Sequence, residues 1–255
     1  MSLAEPDQDL EPDAIDPTLS TLYKVGGAAP LIAIAFYLIQ IIAMISGGAF
    51  PVTTEDWVSL FQRNKILGLL YLNALDIFSI ALLGTMFIAL YFILKRNNPS
   101  SMIISTYFAM LGVAVFIVPR VAMLSIMPLS DQYAHASTEA QRAAFSTAME
   151  TLGSLGTATN QTLGFFFMAV ATLIVSVVML RSQAFTRSTA YVGILASSLT
   201  FANDICLIVS TSIAAILMPI SAIFWIIWWL LVARKLLQLG WKVNTAIPSQ
   251  PATEL

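Results

Sequence analysis

Apolar residues in this chain do not alternate with polar ones or mark a narrow helical stripe. They come in long blocks broken by short polar stretches. The longest block runs from Ile66 to Leu94 and contains LLYLNALDIFSIALLGTMFIALYFI. A helix needs about 20 apolar residues to cross the hydrocarbon of a bilayer, so this block is long enough. Similar blocks predict spans at about 28–45, 66–94, 102–127, 152–180, 190–218 and 220–238. The blocks lack the alternation of a β-barrel and are far longer than barrel strands. The pattern therefore predicts an all-α, polytopic membrane protein built as a six-transmembrane-helix bundle.

The polar stretches carry their own signals. Residues 1–22 hold six acids (Glu5, Asp7, Asp9, Glu11, Asp13 and Asp16), no base and three prolines, and read as an acidic disordered tail. The transmembrane domain is expected over 23–242, with a second tail at 243–255. Pro30 is placed in the first turn of the first span, where a missing N–H is tolerated. Two amphipathic segments are expected outside the hydrocarbon, at 53–63 and 130–150. Thr53 or Thr54 can cap the first, with Glu55 and Asp56 in its opening turn. Ser130 is a candidate cap for the second. Pro219 marks the turn between the fifth and sixth spans.

Composition agrees. Of 255 residues, 58% are hydrophobic and 10% charged, against about 25% charged in a soluble domain. Mean hydropathy is +0.83. A net charge of −2 gives no case for nucleic acid. With the N-terminus inside, the inner side collects eight bases: Lys24, Lys95, Arg96, Arg181, Arg187, Arg234, Lys235 and Lys242. The outer side collects three: Arg63, Lys65 and Arg142. The positive-inside rule then places both termini in the cytoplasm.

Three charges fall inside predicted hydrocarbon: Asp76, Arg120 and Asp204. Asn73 and Asp76, three apart, are expected on one helix face, continued by Ser79. Asp76 lies about 15 Å below the outer end of its span and Arg120 about 12 Å below the end of its own, at the rise of a helix. Asn160, Gln161 and Thr157 enter from the outer side of span four, and Asn203 and Asp204 from span five. Overlapping depths predict one shared polar core, with Arg120 paired to Asp76, Asp204 or both. One base and two acids leave a carboxylate over, which keeps a proton or meets a cation. Such a group suits proton- or cation-coupled transport or small-ligand binding. It equally suits an ion pair that only locks helices.

Enzyme chemistry finds little support. The single histidine, His135, excludes multi-histidine metal sites and two-histidine haem ligation. Cys206 excludes an intrachain disulfide and has no histidine nearby. No metal site is expected, and no cofactor is specified. Trp225, Trp228 and Trp229 could stack on a quinone or pigment, but packing against lipid or a neighbouring subunit is the simpler expectation. A small intramembrane hydrolase using Asp76 and Asp204 stays open.

The stretch NALDIFSIALLGTMFIALYFILKRNNPS, with Asn73 and Asp76, resembles the second-helix region of the DUF4386-like group of bacterial integral membrane proteins of unknown function. The ending IFWIIWWLLVARKLLQLG (Ile223–Gly240) is similar to that family's last helix, and MLGVAVFIVPR, ending at Arg120, fits in position. The resemblance covers about 24–240 and implies six helices, a multi-pass protein of a bacterial inner membrane, and no particular reaction. The expected role is an uncharacterised membrane protein. It would be a structural or accessory subunit in contact with the lipid bilayer, as a homo-oligomer or beside other membrane subunits.

Overall fold

The computed structural model describes residues 17–245. Side chains at 17, 157–161, 208 and 243–245 lie outside that description. After a 3-10 turn at Pro17–Leu19 come ten α-helices: α1 (Ser20–Gly47), α2 (Thr54–Arg63), α3 (Lys65–Tyr71), α4 (Leu75–Leu94), α5 (Pro99–Met123), α6 (Ile126–Ala134), α7 (Glu139–Ala158), α8 (Phe165–Met179), α9 (Arg187–Val209) and α10 (Thr211–Thr245). A π-helical segment, Thr159–Gly164, joins α7 to α8. Six stretches are long and apolar enough to cross a membrane, and no strand occurs among the described residues.

The spanning helices form a closed circuit in which each packs on its two neighbours, in the order α1, α4, α5, α8, α9, α10 and back to α1. The core holds Phe87, Leu90, Val175 and Trp228, all at most 1% exposed. The outward faces are just as apolar: Leu38, Ile42, Ile45, Val118 and Ile213 are exposed. A helix that is apolar all round belongs in lipid or in a deep core. Close approach is allowed where side chains are missing. A Cβ at Gly26 on α1 would lie 2.7 Å from Ala89 Cβ on α4, and one at Gly193 on α9 would lie 2.5 Å from Trp228 Nε1 on α10.

At the end of the bundle where α1 finishes, α2, α6 and α7 build a cap over a second small core of Phe61, Leu72, Met123, Ile126 and Met149. Thr53 caps α2: its side chain accepts from the Asp56 N–H, and Asp56 Oδ2 accepts from the Thr53 N–H at 2.9 Å. Tyr71 closes α1 by donating to the carbonyls of Met44 (3.2 Å) and Gly48 (3.0 Å), which have no helical partner.

Several boundaries differ from the sequence expectation. Helix α1 begins at Ser20, so residues expected in the acidic tail are helical and Pro30 lies inside the helix. Packing of Gly26 and Gly27 against α4 and α10 holds that stretch in place. The block 66–94 is not one helix: it breaks at Asn73, which has φ +54°. Asparagine reaches this left-handed region at lower cost than most residues. Helix α7 is capped by Thr138, whose Oγ1 accepts from the Gln141 N–H at 3.2 Å. Ser130 instead sits inside α6 and donates to the Met127 carbonyl. The fifth span ends at Val209, where Ser210 turns extended (φ −159°, ψ 103°). Pro219 therefore lies within α10 and not in a turn. Helix α10 runs 35 residues and extends beyond the expected span 220–238 at both ends.

Candidate functional site

The break at Asn73 positions the buried charges. It separates α3 from α4 and leaves Asp76 in the first turn of α4, where the helix dipole favours an anion. Asn73 thus does not share a continuous helix face with Asp76. Asp76 is 6% exposed and its two oxygens are divided between two helices. Oδ1 accepts from Gln40 Nε2 on α1 at 2.8 Å, and Oδ2 lies 3.4 Å from Arg120 Nη2 on α5. Arg120 Nη1 donates to the Leu72 carbonyl, the chain's last group before the break, at 3.2 Å. One guanidinium therefore ties the end of α3 to the start of α4. Phe116, one turn back on α5, puts its ring centroid 5.4 Å from Arg120 Cζ, a cation–π distance.

The pair is charge-balanced but incompletely hydrogen-bonded. Arg120 Nε and Gln40 Oε1 are buried with no hydrogen-bond partner. The contact with Asp76 is single, without the two parallel bonds of an arginine–carboxylate fork. Tyr37 lies one helical turn before Gln40, and its buried hydroxyl has no hydrogen-bond partner.

Arg120 also lines a cavity of about 350 Å³ beneath the cap. Trp57 and Thr54 of α2, Tyr71, Asn73, and Glu150 and Gly156 of α7 are among the other residues on its wall. Glu150 Oε1 accepts from Ser146 Oγ at 2.9 Å and from Thr54 Oγ1 at 3.3 Å, which joins α7 to α2. A Cβ at Gly156 would lie 2.7 Å from Met123 Cγ, so glycine lets α7 descend onto α5. On α2, Asp56 is held below the usual carboxylate range by the N–H groups of Thr53 and Val52. Glu55 is also lowered, by its own backbone N–H and by the Tyr133 hydroxyl.

Asp204 does not join this centre. It sits on α9, which packs on α8 and α10, whereas Asp76 and Arg120 belong to α4 and α5 across the circuit. The shared core expected from overlapping depths is not formed, because depth does not specify position around a ring of helices. Asp204 and Asn203 line a separate cavity of about 250 Å³ between α8, α9 and α10. The pair of neighbouring carboxylates that a hydrolase would need is likewise not assembled. The side chains of Asn160 and Gln161 lie outside the described residues, as does that of Thr157.

The tryptophans do not face lipid. Trp225, Trp228 and Trp229 are 7%, 0% and 5% exposed. Trp229 stacks on Tyr37 with ring centroids 5.8 Å apart, and Trp228 packs on Phe87. They pack in the bundle core, and Trp225 also lines the cavity beside Asp204. No cluster of metal-ligating side chains occurs among the described residues.

Gln40 escaped the sequence reading. Its signal was present: it is the one amide within the apolar run 28–45. The Leu72 carbonyl had no signal, since a backbone acceptor becomes available only once the helix breaks.

The family model described as a domain of unknown function, DUF4386, matches residues 25–233. Neither curated proteins nor solved structures yield a match.

Proposed function

The chain belongs to the DUF4386 family, and on that premise we propose that it is a bacterial inner-membrane protein that binds a small polar ligand in the cavity above the Asp76–Arg120 pair. Both termini are cytoplasmic in this reading, so the cavity opens toward the outer face. The observation that carries it is a buried guanidinium donor, Arg120 Nε, with no partner on a side chain that lines a cavity of about 350 Å³. A buried donor without a partner costs about 1–3 kcal/mol, which a ligand oxygen would relieve. Asp76, itself held by Gln40, fixes the guanidinium from below, and Glu150 supplies an acceptor on the cavity wall.

A carrier role draws on a second observation. The span is discontinuous at Asn73, and discontinuous helices with loose backbone groups are the usual walls of carrier sites.

Native mass spectrometry of the protein in nanodiscs tests the binding reading. A small molecule retained by the wild type and lost from both Arg120→Met and Glu150→Gln supports it. Co-purifying protein subunits with no small molecule would overturn it in favour of an accessory subunit. A C-terminal tag reachable from outside in intact cells would overturn the orientation.

A further inference from the structure

The second cavity, between α8, α9 and α10, has a chemistry of its own and does not depend on the first. Asp204 is 8% exposed; no well-formed hydrogen bond reaches either carboxylate oxygen, and the adjacent Asn203 side chain is a polar neighbour. Asn203 Oδ1 is also buried without a hydrogen-bond partner. These three oxygens belong to two residues that line the same space. Donors of Thr200, Ser221 and Trp225 are engaged with one another and with the backbone. Trp225 Nε1 donates to Thr200 Oγ1 at 2.9 Å, Thr200 donates to the Ala196 carbonyl at 3.0 Å, and Ser221 Oγ lies 3.0 Å from Thr200 Oγ1. Pro219 has no N–H for the carbonyl of Ala215, four residues earlier, and Ala215 is on the cavity wall. The site is therefore rich in acceptors. The remaining wall is apolar and includes Phe165 and the Trp225 ring.

We propose that this cavity binds a primary organic ammonium with an apolar or aromatic body. An ammonium carries three donors, which matches the three oxygens of Asp204 and Asn203. A hard divalent cation is a poorer match, because it takes about six oxygen ligands. The cavity volume and the two rings accommodate the body of a small arylalkylamine. Burial of an isolated carboxylate is costly, and the bound cation compensates it. Asp204 lies five residues before the end of α9, about 8 Å along the helix, so the cation has a short path from the surface.

The test is calorimetric titration of the full chain in zwitterionic nanodiscs at pH 7, with empty discs subtracted. The probes are phenethylammonium, its N-trimethyl derivative and phenethyl alcohol. Saturable binding of the primary ammonium is expected, at least tenfold tighter than either analogue. Asp204→Asn should weaken it at least tenfold while unfolding at or above the wild-type temperature, because it removes an unpaired charge. Ala215→Leu, which fills the cavity and leaves both polar residues intact, should abolish it. Equal binding of the quaternary probe, undiminished binding by folded Asp204→Asn or by Ala215→Leu, or no saturable binding would each overturn the proposal.

Discussion

Replacing Arg120 by methionine removes the one base among the buried charges and keeps a side chain of similar length. Four contacts disappear: the 3.4 Å approach to Asp76, the 3.2 Å bond to the Leu72 carbonyl, the 3.7 Å bond to Met123 Sδ and the cation–π contact with Phe116. Asp76 keeps only Gln40. Breaking a buried pair by removing one partner costs about 3–5 kcal/mol. The contact is single and not bidentate, which places this pair at the lower end, about 3 kcal/mol. The carbonyl left at the helix break adds about 1 kcal/mol. For a chain of this size each kcal/mol lowers the unfolding temperature by about 2–4 °C, so a fall of about 10 °C is expected. Thermal unfolding in nanodiscs, followed by tryptophan emission, measures it. Asp76→Asn combined with Arg120→Met removes the stranded charge and keeps the Gln40 bond, so the double variant should recover most of the loss. A single variant within about 1 kcal/mol of wild type, or a double variant as unstable as the single, would refute the pairing argument.

Three other expectations follow from local geometry. Asn73→Gly should leave stability nearly unchanged, whereas Asn73→Val should lower it by about 1–2 kcal/mol, because only the former takes φ +54° freely; the same unfolding assay distinguishes them. Gly26→Ala should cost about 1–3 kcal/mol by overpacking, since its Cβ would lie 2.7 Å from Ala89 Cβ and 3.3 Å from the Thr85 carbonyl oxygen; an unchanged transition would show that α1 and α4 are not in tight contact there. The Asp56 carboxylate is lowered from 3.8 by bonds to the backbone N–H groups of Thr53 and Val52. Its contribution to the α2 cap should therefore be fully present above that ordinary value and vanish as pH falls through the lowered one. Hydrogen exchange at Val52 and Thr53, compared between wild type and Asp56→Asn, should differ near neutrality and converge in acid. A difference that persists in acid would contradict the assignment.

The sequence by itself determined the class of the molecule. Block length and the scarcity of charge allow only helices in lipid, because every backbone group there must be satisfied within its own segment. The residues that mattered were also legible by type: Asp76, Arg120 and Asp204 stood out as charges where charge is expensive. The cap of α2 was readable to one of two neighbours, Thr53 or Thr54, because its signal is local, and the structure selects Thr53.

The tertiary structure alone decided which charges meet. Hydropathy measures depth along each span and says nothing of the order of spans around a ring. That order brings α1, α4 and α5 together, so Gln40 reaches Asp76, and it sets α9 apart with α8 and α10. Nor does hydropathy register a break within an apolar block. Asn73 and Ser210 each end a helix inside a predicted span, and their backbone angles depend on what packs on either side. Arg120 was visible as a charge needing a partner; the Leu72 carbonyl beside it exists as a partner only because the chain turns there.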